Sequence, residues 1–421
     1  MTTEFLLDDW EKIPARHIFR FTHGYAISRA DMGSTGIPCV HYGDIHGKYG
    51  FEVDLHTAKL GRVSEPANYN VHDFISKGQF LFAGSSEDYE GSGNFTLIQG
   101  AQRGIAGTDT IVLTPKIELP SRFIAYLFDS LFFREQIRPH MMGTKVFHPS
   151  QKVIKNAKCI LPPKHMADSI AAYLDEKTAE IDGLIEKLTR QMELLNRHRR
   201  ELIAHTVTRG LHPNVEMRDS GVEWIGPTPT TWRLLRISAL YDLRSTRVSD
   251  KQYPPLSVTM NGVVPQLDSV AKTDDGDNRK LIRAGDFVIN SRSDRRGACG
   301  IAPQDGSCSL INIVLAPQES IHNPYFSYLF RSSLFSDEFY RWGHGIHDDL
   351  WTTNWSDMKS IQVPVPPMGE QISIANYLDD TVVEIDSATE RINRQIELLG
   401  KYRKQVINNA VTGKVRVGEV A

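Results

Sequence analysis

Pro162-Pro163, Ser169-Ile170-Ala171, Tyr173-Leu174-Asp175, Glu180-Ile181-Asp182, Arg190-Gln191, Glu193-Leu194-Leu195 and Val207-Thr208 form a series that the chain repeats at constant offset. The second set is Pro366-Pro367, Ser373-Ile374-Ala375, Tyr377-Leu378-Asp379, Glu384-Ile385-Asp386, Arg394-Gln395, Glu397-Leu398-Leu399 and Val411-Thr412. Residues 162–211 therefore match 366–415 without a gap, roughly two positions in five being identical. A match of this length is a duplication, and it organises everything around it.

Both copies carry a heptad seam. In the first, Leu174, Ile181, Leu188, Leu195 and Leu202 recur every seven residues with Ile185 and Met192 between them; in the second, Leu378, Ile385, Ile392, Leu399 and Val406 do so with Val382 and Ile396 between. Arg199 and Arg403 interrupt the interleaved series at the same point, and neither copy has a proline after its opening pair. Seven-residue apolar spacing with charged flanks predicts a long packed helix in each copy. Acids lead each helix (Asp175, Glu176, Glu180, Asp182, Glu186; Asp379, Asp380, Glu384, Asp386) and bases close it (Arg190, Arg197, Arg199, Arg200; Arg394, Lys401, Arg403, Lys404). This polarity suits each helix dipole, and it sets unlike charges opposite each other only if the two helices run antiparallel. Helices of about 40 residues would be roughly 60 Å long, enough to act as spacers.

The helices follow segments 1–161 and 212–365, which share a plan but little sequence, and residues 416–421 form a tail. Each segment opens near a tryptophan (Trp10; Trp232) and contains a glycine-led strand, Lys77-Gly78-Gln79-Phe80-Leu81-Phe82 or Ala284-Gly285-Asp286-Phe287-Val288-Ile289. Each later has an aromatic helix sharing Tyr126-Leu127-Phe128 or Tyr328-Leu329-Phe330, then a strand running into Pro-Pro. The expected fold is α+β: two mixed α/β heads separated by two long helices that form an antiparallel coiled coil, with an internal pseudo-two-fold repeat.

Composition excludes several classes. A chain of 421 residues exceeds what one core usually organises. No apolar run approaches a membrane span, and Asp8 and Asp9 near the start do not suit a secretion signal, so a soluble cytoplasmic protein is expected. Cys39, Cys159, Cys299 and Cys308 are scattered and fit neither zinc spacing nor a disulfide framework. The formal net charge of −3 argues against a protein that merely coats nucleic acid. Fifteen histidines give no HExxH, and there is no GxxxxGK[ST] phosphate loop. Asn323-Pro324-Tyr325-Phe326 is close to the Asn-Pro-Pro-aromatic motif of amino-methyltransferases but lacks its second proline, so neither a catalytic residue nor a metal ligand is assigned.

Taken together, the strand-Pro-Pro-helix transitions Cys159-Ile160-Leu161-Pro162-Pro163 and Val363-Pro364-Val365-Pro366-Pro367, the duplicated helices and Gly221-Val222-Glu223-Trp224-Ile225-Gly226 resemble the specificity subunits of type I restriction-modification systems. The resemblance spans essentially the whole chain. It implies two target-recognition domains, each reading one half of an asymmetric bipartite site on double-stranded DNA, and helices that fix the spacing and dock two methyltransferase subunits. S-adenosylmethionine, ATP and Mg are implied for methyltransferase and restriction/translocase partners, with no cofactor bound by this chain. The rival readings are a self-sufficient DNA methyltransferase and a coiled-coil scaffold without DNA recognition.

Base contacts do not carry over from the family, so candidates come from the residues. In the second head, Arg292-Ser293-Asp294-Arg295-Arg296-Gly297 follows a strand as a compact basic loop; Arg292, Ser293, Arg295 and Arg296 are either DNA contacts or a solvated turn. The matching place in the first head holds Gly84-Ser85-Ser86-Glu87, then Arg103, with Ser85, Glu87 and Arg103 as candidates against the same alternative. Glycine-containing loops before the last strand of each head add Lys145, His148 and Asn354, where glycine would permit close approach of phosphate or a plain turn.

Overall fold

The computed structural model describes residues 10–27, 29–64, 74–87, 89, 91–141, 146–266, 276–345, 351–415 and 417. The chain divides into two compact units, Met1–Leu188 with Arg394–Ala421, and Thr189–Asn393. Each unit therefore holds one head, part of one long helix and the returning part of the other.

The two helices are Lys164–Arg209 and Met368–Val411, of 46 and 44 residues, longer than the sequence pattern alone suggests. Within the first unit Arg403 lies 2.9 Å from Asp182, and within the second Arg199 lies 2.8 Å from Asp386. These four side chains occupy two repeat positions. Each arginine meets the aspartate of the other copy, as antiparallel pairing of the two helices requires.

In the first unit Leu174 and Ile181 are buried while Ile185 and Leu188 are half-buried; in the second Leu378, Val382, Ile385 and Ile392 are buried while Met192, Leu195 and Leu202 are half-buried. Ile396, Leu399 and Val406, back in the first unit, are also half-buried. The heptad reading needs correction at both C-terminal ends. Ile203 and Val207 enter the second head's core and Ile407, Ala410 and Val411 the first's, whereas Leu202 and Val406 only pack against those cores. The last turns pack on a head as well as on the opening turns of the partner helix, Ile374, Ala375 and Leu378 in the second unit and Ala167, Ile170 and Leu174 in the first, and the inward position slips by one residue.

Both heads are built on the same four-strand core. In the first the order is Phe19–His23, Thr110–Pro115, Phe80–Ala83 and Phe95–Gln99, extended by Phe51–Asp54 in parallel. In the second it is Tyr241–Leu243, Asn312–Pro317, Phe287–Asn290 and Cys299–Ile301. The central pairing is the same, Phe80 opposite Leu113 and Phe287 opposite Leu315. Gly78 and Gly285 lead the inner strands at φ +88° and +89°, a left-handed turn that favours glycine. Around this core the heads diverge. The first adds a four-stranded sheet, and the second adds three-stranded and two-stranded sheets, the latter a hairpin of Leu256–Thr259 and Gly262–Pro265.

The aromatic helix seals each core. Phe128 packs on Phe80, Phe82, Phe95 and Phe133 with ring centroids 4.6–5.6 Å away, and Phe330 packs on Phe287 and Phe335 at 4.9 and 4.6 Å. A serine, Ser130 or Ser332, ends this helix and caps the next in both heads. The tyrosine of the shared motif ties head to helix: Tyr126 donates to Asp175 and Tyr328 to Asp379, each at 2.6 Å. Burial, aided by the neighbouring carboxylate, pushes the Tyr126 phenol up to about 12, so it stays a donor. Lys158–Leu161 pairs with Glu11–Pro14, and Gln362–Val365 with Arg233–Arg236, so each head closes beside its own opening. No helix of the described residues is long and apolar enough to cross a membrane.

Candidate nucleic-acid interface

In both heads the inner core strand runs into a candidate loop, and a second loop from about sixty residues further on is hydrogen-bonded to it. In the first head Ser86 N–H donates to the Phe147 carbonyl at 2.8 Å and Phe147 N–H to the Ser86 carbonyl at 2.7 Å. In the second, Arg292 pairs with Thr352, Ser293 N–H donates to the Trp351 carbonyl at 3.0 Å, and Thr353 N–H donates to the Ser291 carbonyl at 3.0 Å. Backbone bonds on both edges fix where the side chains project, which is what a reading surface needs.

The second head's surface is cationic. A groove of about 650 Å³ lies between the Leu256–Pro265 hairpin and the basic loop, with Arg292, Arg295 and Arg296 on its wall and Asn290, Asn312 and Gln266 among its polar residues. Arg295 has Asp294 at 3.7 Å, and Arg296 stacks 5.1 Å above the Tyr340 ring with Asp337 at 3.5 Å. These exposed, loosely paired guanidinium groups keep donors for guanine edges or phosphates; the amides of Asn312 and Gln266 can both give and accept, whereas the Asn290 oxygen is held by the Arg292 N–H at 3.0 Å. Asn312 was not legible as a site residue; its Oδ1 is buried without a hydrogen-bond partner. Ser293 faces a neighbouring cavity of about 710 Å³ that Arg296 also lines.

The first head's surface is richer in acceptors. Glu87 and His148 are exposed, and the His148 ring lies 3.2 Å from the Gly84 carbonyl. A cavity of about 420 Å³ beside them is lined by Gly84, Asp109, Thr110, Ser150 and Gln151. Asp109 sits at φ +59°, a conformation that aspartate tolerates better than most residues, and its carboxylate suits a base amino group.

Two candidate side chains are corrected, and so is the reading of a glycine in the second head's last loop, Gly343. Ser85 is only 6% exposed and its carbonyl lies 2.6 Å from the His46 ring, so it supports the loop from within. Asn354 caps the helix Trp355–Met358, accepting from Asp357 N–H and Ser356 Oγ, which commits its side-chain oxygen. A β-carbon on Gly343 would overlap the Trp351 indole, so glycine there serves an internal approach and not a phosphate. Arg103 is exposed on the other sheet, 5.9 Å from the Phe74 ring, and no described contact joins it to the paired loops. Lys145, with Gly143, Thr144, Ile346 and His347 of the same loops, lies outside the described residues, as do residues 416 and 418–421 of the tail.

Among the described residues no catalytic constellation is assembled. Asn323 donates to the Gly285 carbonyl at 2.7 Å and accepts from Tyr241 at 2.6 Å, so the methyltransferase-like stretch is an internal tie at a helix start. The four cysteines are buried, and burial pushes their thiols up to about 11 to 12, far from nucleophilic thiolates. Among the described residues no group of three His, Cys, Asp or Glu could hold a metal.

No family model matches the chain. It is similar to the type I restriction enzyme MjaVIII specificity subunit of Methanocaldococcus jannaschii, 24% identical over 339 residues and 75% of each chain. It is also similar to the putative MjaX specificity subunit of that organism, 23% identical over 427 residues, 97% of this chain and 94% of the relative. A shorter match, 28% over 102 residues and 24% of this chain (22% of the relative), is to the EcoKI specificity subunit of Escherichia coli K12. Among solved structures, a chain from work on complex assembly and conformational transition of a type I R-M system aligns with TM-score 0.72 at 16% identity, over 98% of this chain and 100% of that one. The HsdS subunit from Thermoanaerobacter tengcongensis aligns with TM-score 0.52, also at 16% identity, over 99% and 100%. The structural matches establish the fold, and the sequence relatives are type I restriction enzyme specificity subunits.

Proposed function

We propose that this chain is the non-catalytic, DNA-reading specificity subunit of a type I restriction-modification complex, acting in the cytoplasm. The observation that carries this reading is that both heads raise a pair of backbone-locked loops from the same core, yet furnish them with different side chains: arginines and amides in one, carboxylate, hydroxyl and imidazole in the other. Two readers on one plan suit a target whose halves differ. Guanidinium forks favour guanine edges and acceptor groups favour base amino groups, so the second head reads a purine-rich face and the first a pattern of donors.

The duplicated helices set the distance between half-sites and offer a repeated surface to two methyltransferase subunits. S-adenosylmethionine is used by those subunits, and ATP with Mg by restriction/translocase subunits; this chain binds none of them. The test is co-expression with the methyltransferase subunit, followed by sequencing of modified bases in the host DNA. An asymmetric bipartite motif, modified in both halves and lost when this chain is omitted, is the expected result. Modification that persists without the chain, or a short continuous motif, overturns the proposal.

A further inference from the structure

In the second unit a cavity of about 370 Å³ opens between the closing turns of the first long helix and the helix Ser333–Arg341. Arg199, Arg200, Arg296 and Arg331 line it, Ser333 and Ser336 add hydroxyls, and no carboxylate is among its described lining residues. Arg199 is paired with Asp386, donating from Nη2 at 3.4 Å, while its Nε is buried without an aligned hydrogen-bond acceptor. Arg331 gives one N–H to the Met260 carbonyl at 3.2 Å, which leaves most of its five donors. Neither Arg200 nor Arg331 has a salt-bridge partner among the described residues.

The first unit shows what a self-sufficient version of this place looks like. There Asp129 stands where the second head has Arg331, in the same position relative to the shared tyrosine and serine. Asp129 takes Arg134 at 3.0 Å and Arg403 at 3.3 Å, so Arg403, the repeat partner of Arg199, lies between Asp129 and Asp182. The second unit keeps one aspartate and exchanges the other for a cation. Asp386 and Asp337 answer two of these four guanidinium groups and, among the described residues, leave Arg200 and Arg331 without a salt-bridge partner; such an excess of positive charge is electrostatically unfavourable, and an incoming anion relieves it. The first turn of Ser333–Arg341 adds its dipole in the same sense.

The geometry points to a DNA backbone phosphate held in this arginine cavity, beside the half-site that the second head reads. Arg296 and Met260 line both this cavity and the reading groove, so a duplex seated against Arg292 and Arg295 brings its phosphates to the cavity mouth. This assignment rests on the DNA-reading role proposed above and adds the group that anchors register without reading sequence.

The test uses the chain assembled with its methyltransferase subunits, titrated with a duplex carrying its own motif and with a scrambled duplex across a salt series. Arg200→Ala and Arg331→Asp, the latter installing the first head's residue, should each reduce the slope of log K against log salt by about 1. Both duplexes should weaken in the same proportion, and Arg331→Lys should keep the slope. Arg200 is exposed and unpaired, so its variant remains informative if Arg331→Asp disturbs the hairpin. Unchanged slopes in a complex that still reads its motif overturn the phosphate assignment and leave the specificity role intact. Unchanged slopes with loss of methyltransferase subunits on gel filtration give the cavity to an acidic protein segment, which also overturns it. A wild-type complex without sequence preference overturns the specificity role and the phosphate assignment together.

Discussion

The place where each head meets the helices is built twice, and the two versions differ mainly in charge. Tyr126 and Tyr328, Asp175 and Asp379, Ser130 and Ser332, and Phe128 and Phe330 do the same work in both. Asp129 and Arg331 do not: the first closes an ion network and the second leaves a cluster of arginines. Duplication therefore holds packing and hydrogen-bond geometry in common while leaving surface charge free to diverge. Buried partners must change together, whereas an exposed charge can change alone.

Three stability experiments press on this comparison. Removing the central ring of either aromatic cluster is the largest perturbation. Phe128→Ala and Phe330→Ala should each cost about 3–5 kcal/mol, with hydrogen exchange rising only in the unit that carries the change. If Phe128→Ala loosens the second head equally, the two cores are not separate units. Next comes the arginine pair. Arg403→Ala strands Asp182 and leaves Asp129 with Arg134 alone, and should cost about 2 kcal/mol in denaturant titration, against about 1 kcal/mol for Arg199→Ala, both figures reduced for partial exposure. Equal costs would mean that Asp129 contributes nothing, and the contrast between a neutralised and an open junction would fall. The smallest effect belongs to the tyrosines. Tyr126→Phe should cost about 1.5 kcal/mol, since its hydroxyl is also 3.2 Å from Thr178, and Tyr328→Phe about 1 kcal/mol. A larger loss at Tyr328 would show that the two ties are not equivalent.

The helices were legible because a duplication and a seven-residue period are both written locally. Heptad counting missed the inward shift to Ile203 and Ile407 beside Leu202 and Val406, where each helix packs on a head as well as on its partner. The glycine-led strands and aromatic helices were also legible, each carrying its own turn or shared motif. Thr110-Ile111-Val112-Leu113-Thr114-Pro115 and Asn312-Ile313-Val314-Leu315-Ala316-Pro317 went unread, although their similarity marks the same core strand in both heads. The loop pairings were not legible, because Ser86 with Phe147 and Arg292 with Thr352 join residues about sixty apart through backbone groups that any sequence possesses. For the same reason Asp109 and Asn312 entered the candidate surfaces only once neighbouring strands placed them there, while Ser85, chosen for its chemistry, turned inward.

The first unit takes its closing residues, Arg394–Ala421, from beyond the whole of the second, Thr189–Asn393. During synthesis the first head therefore emerges without Ile407, Ala410 and Val411 of its core and with Asp129 and Asp182 still lacking Arg403. At roughly 5–20 residues per second the ribosome needs on the order of 10–40 s to deliver the intervening segment. The second head, although made later, has all its parts first, so the order of completion reverses the order of translation.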